Sequence, residues 1–243
     1  NIFEFQHPLF LKVIYQLLGR QARHIHEKIA QILEETFVEQ LEEHSEMLAY
    51  HFTKAYQADK AAHYAFLTGK QYLKTGQILS AKHWLEQANS FWTQFKTESY
   101  LEMLKMLGDI YSLTDQLPKA RKWYQKCIEA AQKNNQKSFQ AAALCELGAL
   151  STKQDASKYY ETALQLVDAA ENPEIFIQIH KNYGIYHGAL GEHIASVNHF
   201  EKALQQCHSQ TNPLLAADIY ASLSHEKLKL GLVDIAQTLA LRA

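Results

Sequence analysis

Thirteen histidines and three cysteines are the side chains in this sequence best suited to hold a metal or act as nucleophiles. Their spacing argues against both roles. His24 and His26 are two apart and leave a helix in different directions. His44 with His51, and His180 with His187, are seven apart, about 10 Å along a helix axis and beyond one metal's ligand shell. No HExxH pair or Cys/His ligand set occurs, so the histidines read as solvated or as capping helix ends. Cys127, Cys145 and Cys207 lack CxxC spacing and lie in apolar helical patterns, which makes them reduced, buried small hydrophobes. No serine or cysteine sits at a nucleophile elbow, and Cys145 and Glu146, being consecutive, diverge. Adjacent acids such as Glu34-Glu35 and Glu42-Glu43 read as solvated faces, not as an acid with its base. There is no GxxxxGK[ST] loop and no GxGxxG. The expectation is a chain with no catalytic residues, no cofactor and no metal.

Composition narrows the class further. Lys plus Arg number 24 against 26 Asp plus Glu, interspersed, which gives no electrostatic footprint for nucleic acid. No apolar run approaches the roughly 18 residues of a membrane span, and no signal peptide opens the chain. With the unpaired cysteines, this places the protein in the cytoplasm. Four prolines and nine glycines in 243 residues favour long helices over strands and turns. The sequence begins at Asn1 and ends at Ala243 inside a helical pattern, and so reads as a piece of a larger polypeptide.

The elements that would position any functional residue are helical hairpins. Leu104, Leu107, Gly108 and Tyr111 share one helix face; Ala120, Trp123, Tyr124 and Cys127 share another, across a polar turn ending in Pro118. Gly108 and Ala120, twelve apart, let two antiparallel helices approach closely. The same spacing joins Gly69 to Ala81, Gly184 to Ser196 and Ser224 to Ala236. The small residues of the first helices, Gly69, Gly108, Gly148, Gly184 and Ser224, follow one another at 39, 40, 36 and 40 residues. A period near forty without strands predicts an all-α solenoid. Its hairpins fall near 58–75 with 77–93, 97–114 with 117–134, 137–152 with 154–170, 174–190 with 193–209, and 213–230 with a truncated 232–243; a helix over 44–55 leads in. The interval of 36 predicts a hairpin one helical turn shorter, since four residues make about one turn. Trp84, Trp92 and Trp123 mark packing between hairpins. Asn134-Asn135, Asn172-Pro173 and Thr211-Asn212-Pro213 mark turns.

Residues 1–42 depart from the repeat. Ile2, Phe3 and Phe5 alternate like a strand, and His7-Pro8 opens a helix that Gly19 ends. A second helix over about 21–42 carries Ile25, Ile29, Ile32, Leu33 and Phe37 on one face.

Leu107-Gly108-Asp109-Ile110-Tyr111 with Ala120, Tyr124 and Cys127, and Tyr183-Gly184 with Ser196, Phe200 and Ala203-Leu204, resemble the tetratricopeptide repeat over roughly 58–243. The long period resembles its extended variant in bacterial regulators. The resemblance implies a right-handed superhelix of about five hairpins whose first helices line a concave groove for proteins or peptides. The groove candidates are then Lys105, Asp109, Cys145, Ala149, Lys181, Asn182, Ile185, Ala221 and His225. Some repeat proteins clamp a C-terminal carboxylate, but Asp109 and Glu146 stand where that clamp needs amides, and like charges repel. Phe3-Glu-Phe-Gln-His7-Pro-Leu, Arg23-His24, Leu48-Ala49-Tyr50-His51 and Lys60-Ala61 resemble the joint between winged-helix and repeat regions of bacterial signal-transduction ATPases. This implies a winged-helix remnant at 1–42 and a repeat domain at 43–243. The chain would then be a non-catalytic sensor module that binds a protein or peptide and contacts an upstream domain of a larger signalling protein. The alternative is a small-molecule-sensing solenoid of an ATPase-linked transcription regulator or nucleotide cyclase.

Overall fold

A buried apolar residue at every third or fourth position makes each segment a helix with one committed face. In Leu117–Lys133, for example, Ala120, Tyr124, Cys127, Ile128 and Ala131 are buried, and Pro118 occupies the first turn. The computed structural model describes residues 13, 15–92, 97–207 and 213–243. The helices are α1 (Arg20–Thr36), α2 (Ser45–Lys54), α3 (Ala58–Lys74), α4 (Ile78–Phe91), α5 (Glu98–Leu113), α6 (Leu117–Lys133), α7 (Lys137–Ala149), α8 (Lys153–Leu166), α9 (Pro173–Ala189), α10 (His193–Gln206), α11 (Pro213–Lys229) and α12 (Val233–Ala240). No strand occurs among the described residues. The strand expected at 2–5, the start of the helix after His7-Pro8 and the turn at 211–212 lie outside them.

The chain forms two compact units, residues 1–110 and 111–243. In the first, α1 packs on α2, α2 on α3 and α3 on α4. Its core includes Leu48, Phe52, Leu85, Leu101, Leu104 and Leu107, all inaccessible to water. Trp92 lies edge-on to Phe66 and 5.7 Å from Tyr100, packing α3 against α5 as expected. In the second unit α6 to α12 pack in sequence, and Phe200 anchors a cluster with Ile177, Val197, Ala203, Ile219 and Leu223.

Small residues set the hairpin spacing. A methyl group on Gly69 would stand 2.7 Å from Leu85 Cδ2, and one on Gly184 would stand 2.9 Å from Phe200 Cε1. Ser196 Oγ donates to the Gly184 carbonyl at 2.7 Å, and Ser224 Oγ donates to the Ala236 carbonyl at 2.7 Å. The shortened hairpin is present as well. First helices α3, α9 and α11 run five residues past Gly69, Gly184 and Ser224, whereas α7 stops at Ala149, one residue past Gly148.

Most hairpin turns share one device, a left-handed residue that sends the next N–H back to the preceding helix. Gly191 at φ +79 allows Glu192 N–H to reach the His187 carbonyl at 3.0 Å, and Asp115 at φ +56 does the same for Gln116 and Tyr111 at 2.8 Å. A methyl group on Gly191 would meet nothing within 4 Å. Gly191→Ala is therefore expected to cost about 1 kcal/mol through backbone strain alone, read as a lower urea midpoint at unchanged slope.

Three expectations need correction. Helix α1 ends at Thr36, followed by a 3-10 turn over Val38–Gln40, and its buried face carries His26 and Ala30 while Ile25 and Ile32 are exposed. Glu34 is not a solvated acid; it accepts Tyr64 Oη at 2.7 Å and Lys60 Nζ at 2.5 Å, tying α1 to α3. Nor are the histidines mostly solvated. His26 and His180 are buried, and each pairs Nδ1 to Nδ1 at 2.8 Å with a histidine of another helix, His51 and His199 respectively. Cys127 and Cys145 are buried and Cys207 is half-buried; none is in a disulfide.

Candidate functional site

Helices α7, α9 and α11 are the first helices of consecutive hairpins, and α9 packs against both of the others. With residues of α8 and α10 they line two adjoining concavities in the second unit. One, of about 270 Å³, is lined by residues that include Ala149, Tyr160, Asn182, Ile185, Tyr186 and Ala189. It lies between the shortened end of α7, at Gly148, Ala149 and Ser151, and the end of α9. The other, of about 480 Å³, is lined by residues that include Ile185, Gly188, Ala189, Ala221, His225 and Glu226. Ile185, 50% exposed on α9, belongs to both.

Five of the nine candidates, Ala149, Asn182, Ile185, Ala221 and His225, thus meet on one surface. Asn182 accepts from Gln178 Nε2 at 3.2 Å and donates from Nδ2 to Cys145 Sγ at 3.4 Å. That bond fixes its amide, but Cys145 itself is buried under α9. Lys181 is drawn into an ion pair with Asp218 of α11. Lys105 and Asp109 belong to the first unit and pair with each other one turn apart at 2.9 Å. Reasoning from the small-residue face found Ile185 and Ala221 but missed Tyr186, Ala189 and Glu226. The signal for Ala189 was its place four residues after Ile185, one turn along the same face of α9.

The electrostatics are set by burial. Among the described residues no group of three or more His, Cys, Asp or Glu could hold a metal ion. His180 and His199 are pushed down to about 4, by burial first, with Lys202 adding to both and the neighbouring histidines His180 and His187 adding to His199. Burial raises Tyr160 above its ordinary range, and the nearby Cys145, Glu146 and Tyr186 push the same way, so its phenol is a neutral wall of the smaller concavity. The first unit has a concavity of its own, about 580 Å³, lined by Tyr15, Gly19, Ala22, Arg23, His26, Lys54 and Tyr56. Its cations are engaged: Arg23 Nε donates to the Ala55 carbonyl at 2.9 Å, capping α2, and Lys54 lies over the Tyr50 ring. No helix among the described residues is long and apolar enough to cross a membrane.

Residues 101–134 match the family model of the tetratricopeptide repeat. No curated protein matches the chain. Among solved structures, BtubC (BKLC) from P. vanneervenii aligns over 92% of this chain and 88% of its own, at 15% identity and a TM-score of 0.64. An array of nearly identical TPR-like repeats from Podosopora anserina aligns over 73% of this chain and 90% of its own, at 17% identity and a TM-score of 0.54. Likeness at this level of identity speaks for the fold, an array of TPR-like helical hairpins.

Proposed function

We infer that this array of tetratricopeptide-like hairpins is a non-catalytic binding module that takes an extended segment of a partner protein on the surface of α7, α9 and α11. The observation that carries the reading is Ile185, a half-exposed aliphatic side chain between two concavities walled by Ala149, Tyr186, Ala189 and Ala221. Apolar positions at this spacing suit alternate side chains of an extended peptide, with Asn182 and His225 available to its backbone. A small-molecule role has one observation in its favour, the space at the shortened end of α7. That space, about 270 Å³, is below the roughly 300–1,000 Å³ usual for such ligands and the adjoining one, about 480 Å³, is within it; what favours the peptide is that the two run on from each other across Ile185.

The resemblance of 1–42 to the tail of a winged helix makes the module the sensor arm of a larger signalling protein, with 43–243 as its repeat domain. Cysteines without disulfide spacing suit the cytoplasm of such a system. The test is capture of peptides from a displayed random library by the whole chain and by Ile185→Arg. Ile185→Arg is expected to lose at least about tenfold in affinity with little change in melting temperature, because the side chain is half outside the core. Equal capture by both proteins would remove the site.

A further inference from the structure

We propose that Glu226 makes the larger concavity a subsite for one basic side chain, lysine or arginine, of the bound segment; this rests on the binding surface inferred above. Glu226 is 7% exposed. Its Oε2 accepts from His193 Nδ1 at 2.8 Å. Its Oε1 lies against Gly188, 2.8 Å from where a Cβ would stand, so only glycine there allows the carboxylate its position. Among the described residues Oε1 has no hydrogen-bond partner, yet no sealed side-chain oxygen or nitrogen lacks one. Oε1 is therefore open to the cavity that Glu226 lines.

On a side chain about nine-tenths buried, Oε1 keeps accepting capacity that no protein group among the described residues fills, and a cation answers it best. The nearby lysines do not supply that cation. Lys181 is paired with Asp218, and Lys227 reaches Glu201 at 2.8 Å. The cavity is lined by Ile185, Ala189, Phe200 and Ala221 as well as Ser222 and His225, and its apolar part suits the methylene stem behind an ammonium or guanidinium. An acidic or C-terminal carboxylate ligand would meet repulsion at the same point.

The experiment selects dodecamer peptides from a random displayed library on the whole chain at pH 8. The winning peptide is then remade with its basic residue replaced by norleucine. The expected result is enrichment of Lys or Arg at one position beside apolar residues, and a loss of about tenfold or more for the norleucine peptide on the wild-type chain. On Glu226→Gln the two peptides should bind alike. The wild-type comparison needs no variant, so a folding defect in Glu226→Gln leaves the test intact. Equal binding of both peptides to the wild type, with Ile185→Arg still abolishing capture, overturns the subsite and leaves the binding surface standing. Failure to select any peptide, or capture that ignores Ile185→Arg, overturns both.

Discussion

Phe200→Ala is expected to lower the stability of the second unit by about 3–5 kcal/mol, read from the urea midpoint at constant slope. Phe200 is 1% exposed and stands at the centre of the cluster formed by Ile177, Val197, Ala203, Ile219 and Leu223. Two features make the cavity hard to close. The ring fills the space over Gly184, which has no side chain to take up that space once the ring is gone. Ser196 also fixes the approach of α10 to α9 through its bond to the Gly184 carbonyl. Because stability in helical-repeat arrays is passed between neighbours, the damage should spread to the packing of α10 on α11 and with it to the binding surface. A loss below about 1 kcal/mol would mean that the hairpin relaxes and that Gly184 does not set its spacing. Gly184→Ala supplies the complementary test: it should destabilise the wild type and cost less when residue 200 is leucine, since the two changes act on one contact.

The reason so much of this hairpin could be read from sequence lies in its period. Gly184, Ser196 and Phe200 sit on faces fixed by 3.6 residues per turn, and the interval between small residues fixed which helices pair. The four residues missing between Gly148 and Gly184 translated directly into the turn missing from α7, because a whole turn can be removed without rotating the rest of the helix. What period cannot give is the partner of a polar group. His180 meets His199 nineteen residues away, Glu226 meets His193 thirty-three away, and Glu34 meets Tyr64 thirty away. In each case the partner lies on another helix, which the spacing along one helix does not show. The same limit misplaced α1's buried face. Ile25 and Ile32 make an apolar stripe, yet the structure buries His26 because Tyr15 Oη at 2.6 Å and His51 Nδ1 at 2.8 Å satisfy both of its nitrogens. The candidate site shows both sides of this. Ile185 and Ala221 follow from the helix face, while Cys145, one turn before Ala149 on α7, is covered by Asn182 of α9.

The buried histidine pair carries the other large prediction, a loss of stability in acid. His180 and His199 share a hydrogen bond between Nδ1 atoms, which requires at least one of those nitrogens to be unprotonated. Around them stand Phe176, Tyr183 and His187, with Lys202 opposing any added positive charge. Folding therefore holds both near 4, against about 6.5 in the unfolded chain. Between those values the unfolded state binds more protons, so stability rises with pH. Their contribution is complete above about pH 6.5 and is lost as the pH falls toward 4. Two independent shifts of this size would give about 3 kcal/mol each, but the pair is coupled and water reaches half-buried His199, so about 2–3 kcal/mol together is the expected effect. The comparison is urea unfolding at pH 7.5 and pH 4.5 for the wild type and for His180→Gln/His199→Gln. The variant should be less stable at pH 7.5 and lose about 2–3 kcal/mol less than the wild type on acidification. His26, His51 and His63, also held low by burial, are common to both proteins and cancel in the difference. If both proteins lose the same stability, the pair is already protonated in the fold, and the bond between its Nδ1 atoms does not exist at pH 4.5.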